Sequence, residues 1–303
     1  MKTFLLTAFA ALALAGPPAA IAQTAPAPTP APAAVDADPA LWVVKDDDTT
    51  IYLFGTVHVL KPGLSWFDEG VKKAFDASDQ LVLEMVPPPD AVAGPAMMKI
   101  ASNPTGPALS DKLPADLKAK YEKAMTDNGV PVAAFERMDP WFPGLMLSLI
   151  PLQKLGYSPD TGAERVLMKA AEAANKPISG VETFDEQLGF FDTLPEPAQI
   201  GFLRSTIDSL PRVQSVFDSM VVHWSAGDPD ALGKVMNEEL RETPEVGKVL
   251  LSDRNARWAD WIDTRLDTPG KVFMAVGAGH LAGPDSVQVW LGKRDLKATR
   301  VAY

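Results

Sequence analysis

Histidine is scarce in this 303-residue chain, and two of its three histidines occupy the same local pattern. His58 closes Gly55-Thr56-Val57-His58 after the apolar run Ile51–Phe54, and His280 closes Gly277-Ala278-Gly279-His280 after Val272–Val276. A glycine lets the backbone turn sharply or approach a ligand closely. Each imidazole then projects from just beyond a strand. Glu84 ends a further apolar run, Leu81-Val82-Leu83, and Glu182 ends Ile178-Ser179-Gly180-Val181. A carboxylate beside a buried strand is costly unless it is paired, protonated or bound to a metal. Two imidazoles with one or two carboxylates suit Zn, Mn, Fe or Co. The repeated pattern therefore implies two half-sites that make one metal centre. The alternative, in which each histidine only bonds its own loop, explains one such motif better than two. His223, in Val221-Val222-His223-Trp224, has no partner motif and reads as packing.

Ser252–Ile262 carries Arg254 and Arg257 with Trp258 and Trp261. Its spacing reads as an amphipathic helix with tryptophan packing. The functional alternative is an arginine that holds a substrate carboxylate or a developing oxyanion. Gly277–Ala282 also fits the G-x-G-x-x-A dinucleotide fingerprint, but that motif needs a helix, a strand and an acid further on, and only 20 residues follow Gly283. The chain contains neither G-x-S-x-G nor H-E-x-x-H.

The elements that must position these groups can be read in outline. Leu41–Lys45 and Thr50–Phe54 flank an acidic turn and predict a hairpin. A helix is expected from Trp66 to Ala77, opened by Ser65, and another from Ser110 to Gly129, with Leu113, Leu117, Tyr121 and Met125 on one stripe. Thr161 and Glu164 predict a capping box for a helix through Asn175. Pro195 to Leu266 reads as helical, with breaks near Gly227 and Thr243-Pro244, and Lys271–Val276, Ser286–Leu291 and Leu296–Ala302 read as three strands. The expected fold is α/β, with a mixed or mostly parallel sheet, flanking helices and a helical insert. In open sheets of this class the site lies off the carboxyl ends of the strands. That rule places His58, Glu84, Glu182 and His280 on one edge.

Composition bounds the rest. Lys2, the apolar run Phe4–Ala15 and Ala20-Ile21-Ala22 predict a Sec-type signal peptide over residues 1–22. Gln23 to Pro39 is mostly Ala, Pro and Thr, which buries no core and predicts a disordered leader. The folded domain is then expected over residues 40–303. A formal charge of −11 with no basic stripe argues against nucleic acid as a partner. With no cysteine there is no disulfide, thiol nucleophile or lipid-modified Cys, so an exported chain would be periplasmic. No stretch beyond the leader is apolar enough to span a bilayer.

The segments "LFGTVHVLKPG", "LVLEMV", "RMDPWF", "ISGVETFDEQLGFFDTLP", "DRNARWADWI" and "VGAGHLAGPDSV" resemble the TraB/GumN family, which includes the Tiki proteases. They run in the family's order over about Leu41 to Tyr303. The family is similar in fold to the erythromycin-esterase and ChaN-like proteins. The resemblance implies a metal-dependent hydrolase, a peptidase with a peptide or protein substrate, preferring Mn or Co over Zn. It makes His58, Glu84 and His280 the leading metal or catalytic residues, with Glu84 a ligand or general base. Arg254 is the leading site cation, aimed at an oxyanion. Glu182 and Asn255 become outer partners or alternative ligands, with Gly55 and Gly277 as backbone turns. Ser286 departs from the glycine expected there. The ChaN-like resemblance keeps open a non-catalytic envelope protein that binds metal, haem or peptide. If the signal reading holds, N-terminal sequencing of the exported protein finds Gln23 first; retention of Met1 overturns it.

Overall fold

The computed structural model describes residues 34–237 and 244–303. The expected signal peptide, and the leader as far as residue 33, lie outside the described residues. The strands are β1 (Val35–Asp36), β2 (Leu41–Lys45), β3 (Thr49–Thr56), β4 (Leu64–Ser65), β5 (Gln80–Met85), β6 (Ile178–Glu182), β7 (Gly270–Gly277) and β8 (Thr299–Arg300). The helices are α1 (Glu69–Ala77), α2 (Asp90–Ala101), α3 (Leu109–Lys112), α4 (Ala115–Asp127), α5 (Trp141–Lys154), α6 (Ala163–Ala173), α7 (Phe184–Asp192), α8 (Glu196–Ser209), α9 (Val213–Ser225), α10 (Pro229–Asn237), α11 (Pro244–Gly247), α12 (Asp253–Leu266) and α13 (Val287–Gly292).

Among the described residues six strands form one mixed sheet in the order β6-β5-β7-β3-β2-β8. The four strands from β6 to β3 run parallel, while β2 pairs antiparallel with both β3 and β8. The fold is therefore α/β with a mixed sheet, as the alternation of strands and helices predicts. Side chains alternate across the sheet. Phe54, Leu81, Leu83, Phe273 and Ala275 point into a core shared with α1, α6, α9 and α10. Ile51, Leu53, Val82, Val272, Met274 and Val276 point into a core shared with α12 and α13. Further apolar clusters hold α2 to α5, α7 and α8 together beside the sheet. The parallel strands end together, so Thr56, Glu84, Glu182 and Gly277 share one carboxyl edge.

Several expected boundaries shift. β1 pairs parallel with β4 and Ala37 is buried, so ordered structure begins before Ala40. Ser65 lies in β4 and bonds Asp68, after which α1 starts at Glu69. Leu113-Pro114 splits the helix expected from Ser110, because proline cannot continue the backbone ladder. Gly129, at φ 69°, closes α4. Val287–Gly292 is a helix and not a strand. Val287-Gln288-Val289 mimics a period of two, yet the buried pair is Val287 and Leu291, four apart on one helical face. Of the last expected strand only Thr299–Arg300 forms.

Phe54 sits fully buried in the middle of β3, stacked on Trp66 at 5.4 Å and in contact with Trp224 and Phe273. Phe54→Ala should cost about 3–5 kcal/mol of unfolding free energy, read by denaturant melting. A loss below about 1 kcal/mol would show that this aromatic cluster does not hold the strand.

Candidate functional site

The sheet edge gathers most of the residues singled out in the sequence. Arg254, near the start of α12, is 3% exposed and makes five sets of contacts. Its Nε donates to Glu182 at 2.9 Å. One Nη2 hydrogen goes to Glu84 and the other to Glu182, both at 2.7 Å. Nη1 donates to the Leu250 carbonyl at 3.3 Å and lies 3.1 Å from His280 Nε2. The Leu250 carbonyl is presented by a π-helical turn, Lys248–Ser252, directly before α12. Arg254 also lies over Phe190 and Trp258, 5.3 and 4.8 Å from the ring centres.

This geometry decides the state of His280. A guanidinium only donates, so His280 Nε2 accepts and its Nδ1 carries the proton. Nδ1–H then donates to Asn255 Oδ1 at 2.6 Å, while Asn255 Nδ2 donates to the Asp285 carbonyl at 2.7 Å. Burial, then the adjacent Arg254 charge, hold the His280 pKa well below the ordinary 6.5. His280 is a neutral, fixed imidazole.

The two carboxylates differ in their surroundings. Glu182 accepts from Arg254, from Trp258 Nε1 at 3.0 Å and from Gln187 Nε2 at 3.0 Å. Arg257 stands 3.6 Å away and half in solvent. Glu84 accepts from Arg254, from Gln187 at 3.2 Å and from the Gly277 N–H at 2.5 Å. Glu84 lines a cavity that Glu182 does not. Both carboxylates hold Arg254, and of the two Glu84 also borders the cavity.

His58 approaches from the other side of Gly277. A Cβ on Gly277 would stand 2.9 Å from Glu84 Oε1 and 3.6 Å from both His58 Nε2 and His280 Cδ2. The glycine is thus a window between the two imidazoles. Gly55 is constrained in a similar way, since a Cβ there would lie 3.0 Å from Ala278 Cα. Gly277 has φ −50°, and neither glycine has a positive φ, so close approach and not a turn requires them.

His58 Nδ1 lies 2.5 Å from Glu164 Oε1. The close Nδ1–Glu164 approach lacks hydrogen-bond alignment, while Nε2 faces Gly277, 3.6 Å from where a Cβ there would stand, and His58 lines the cavity. Burial opposes the charged imidazole, but the adjacent Glu164 carboxylate outweighs it, helped by Glu84, and the His58 pKa is raised above 6.5. The capping box expected from Thr161 and Glu164 does not form. Gly162 is the N-cap of α6, Thr161 donates to the Leu60 carbonyl, and Glu164 goes to His58. The capping box that forms is Thr183 with Glu186 on α7. Glu164 and Gln187 are functional-site residues that sequence reasoning missed. Gln187 lies within the segment that resembles the family but has no chemical spacing of its own, and Glu164 has the spacing of a helix cap. His223 lies in the last turn of α9.

As arranged, the donors do not fit an ion shared by His58, Glu84 and His280. Arg254 takes the His280 Nε2 lone pair, and Arg254, Gln187 and Gly277 bond Glu84. Only His58 Nε2 among the expected ligands stands open.

A family model described as "TraB/PrgY/gumN family" matches residues 40–300, nearly all of the described fold. The chain belongs to the TraB/PrgY/gumN family. It is 22% identical to the uncharacterized protein YbaP of Escherichia coli K12 over 249 residues, covering 81% of this chain and 89% of YbaP. It is 24% identical to an uncharacterized protein of Treponema pallidum over 275 residues, covering 84% of this chain and 80% of the relative. No solved structure matches the chain significantly.

The two histidines should titrate in opposite directions. By NMR, His58 should show a midpoint above 6.5 that falls in Glu164→Gln, while His280 stays neutral well below 6.5. The raised His58 pKa contributes stability that is full below pH 6.5 and is lost as pH rises through its folded value. His280 contributes the reverse, and its share is lost as pH falls below 6.5. Identical midpoints for the two rings would refute the assigned environments.

Proposed function

We propose that the chain is an exported hydrolase that adds water to an amide or ester carbonyl, with a peptide as its substrate class. The observation that carries this reading is the asymmetry of the histidines. His58 is backed by Glu164 and has an open Nε2, while His280 is fixed and neutral across Gly277.

An imidazole with one nitrogen paired to a carboxylate and the other open is a general base in waiting. Water at His58 Nε2 gives up a proton as its oxygen attacks the carbonyl carbon. Glu164 offsets the charge of the resulting imidazolium, which returns the proton to the leaving nitrogen or oxygen. Glu84 lines the same cavity and orients the water. Arg254 was the expected oxyanion donor, but all five of its N–H groups are engaged. In this reading it is the counter-ion that fixes Glu84, Glu182 and His280 around the reaction. Arg257, half exposed and next to Glu182, is the cation left to meet a substrate carboxylate.

A metal-assisted hydrolase is the second reading, favoured by the open His58 Nε2 and by Glu84 on the same cavity. It requires Arg254 to release His280, so metal content and activity separate the two. The mature protein is assayed on p-nitrophenyl acetate and on quenched fluorescent peptides, with and without chelator, and its bound metal is measured. The first reading expects chelator-resistant turnover that falls by about 10²- to 10⁴-fold in His58→Gln. Turnover lost to chelator and restored by Mn or Co supports the second. No turnover together with bound metal or haem would replace both with a binding protein.

A further inference from the structure

The cavity beside His58 has two unlike walls. One is polar and belongs to the chemistry: His58, Glu84, Gly277 and His280. The other is apolar: Val57, Val59, Phe217, Met220 and Met236. The cavity measures about 30 Å³, room for roughly two waters and so for two or three heavy atoms.

The Thr56 hydroxyl is one of the polar atoms on this side that are unexplained. Thr56 ends β3, where Tyr52 and Phe54 point into the α9 side of the sheet, and alternation sends Thr56 the same way. Thr56 is 2% exposed and lines the cavity. Among the described residues its hydroxyl has no hydrogen-bond partner. Buried hydroxyls are normally paired, so one left open at a cavity needs a reason. A ligand that brings the missing partner supplies it.

We infer that this wall is the subsite for one small aliphatic side chain, alanine to valine in size, next to the bond that is cut, with the Thr56 hydroxyl holding the adjoining peptide group. The inference rests on the hydrolase reading for its chemistry, but its size rule stands on the cavity alone. Charged side chains are excluded because the apolar wall offers them no partner. Aromatic side chains are excluded by volume. Phe217 cannot retreat easily, since Tyr157 packs edge-on against it at 4.6 Å. Met220 and Met236 are the adjustable walls, because an unbranched thioether repacks readily. Met236 is thus the residue that sets the upper size limit.

The test uses the mature protein labelled at the methionine methyls, with Met220→Leu and Met236→Leu to assign the signals. N-acetyl-alanine, N-acetyl-valine and N-acetyl-phenylalanine N-methylamides are titrated in turn. The alanine and valine amides should shift the Met220 and Met236 methyls, and the phenylalanine amide should bind at least roughly tenfold more weakly. Met236→Ala should bring the phenylalanine amide level with the others. Thr56→Val should weaken all three amides without lowering the melting temperature, and Thr56→Ser should restore binding. Equal or tighter binding of the phenylalanine amide to the unaltered protein overturns the subsite. So does the absence of any response at the two methyls. A lower melting temperature for Thr56→Val shows that the hydroxyl is structural and overturns its role. Turnover of p-nitrophenyl acetate is scored separately: binding with the stated size rule and no turnover removes the hydrolase reading and keeps the subsite.

Discussion

One buried guanidinium sets the terms for the rest of the site. Taking Arg254 out of water is costly, and only a full set of acceptors offsets it. The fold supplies them from four places: Glu84 at the end of β5, Glu182 at the end of β6, the Leu250 carbonyl before α12, and His280 after β7. Each acceptor is held in turn. Trp258 and Gln187 fix Glu182, the Gly277 N–H fixes Glu84, and Asn255 fixes His280. Removing the cation would leave two buried carboxylates facing each other. This is why the network behaves as one unit and why its members recur at the ends of separate strands.

That arrangement also reassigns roles. A metal and a guanidinium both answer the problem of gathered carboxylates, and they compete for the same lone pairs. Here Arg254 holds those lone pairs, which moves the reactive position away from His280. His58 stands outside the network, and the carboxylate it pairs with among the described residues is Glu164 on α6. The rigid half of the site and the half free to exchange protons are therefore built by different elements. The first packs on α12 and the second lies on the α6 and α9 side of the sheet.

The parts legible in the sequence were those with a local signature. Apolar runs ending in Glu84, Glu182 and the two glycines mark strand ends, and the rule for open sheets then brings them to one edge. The Arg254-Asn255 pair stood on a helix face whose spacing also fits simple packing, so its burial was not visible. Glu164 was hidden for a different reason. Three residues after Thr161, just before an apolar helix, it satisfies a purely local rule, and a contact 106 positions back to His58 has no local trace. Ser286–Leu291 misled by period: alternating Val, Gln and Val suits a strand, and only tertiary packing of Val287 and Leu291 makes it helical.

The register of the two central strands explains why the repeated motif gives unlike histidines. Gly55 pairs with Val276, and Thr56 pairs with Gly277, so the two Gly-x-x-His motifs are offset by one residue. In a pleated sheet a one-residue offset exchanges faces. Gly55 falls on the α12 side with Ile51 and Leu53, whereas Gly277 falls on the α9 side with Phe273 and Ala275. Each glycine therefore opens the opposite face to the other motif. Gly55 lets the chain at Ala278 close in, and Gly277 leaves the gap through which His58 faces Glu84 and His280. Had the motifs been in register, both gaps would lie on one face and the two rings would stand side by side in one environment. The offset places one ring beside Arg254 and the other beside Glu164, and that difference in neighbours separates a fixed neutral imidazole from one able to take up a proton.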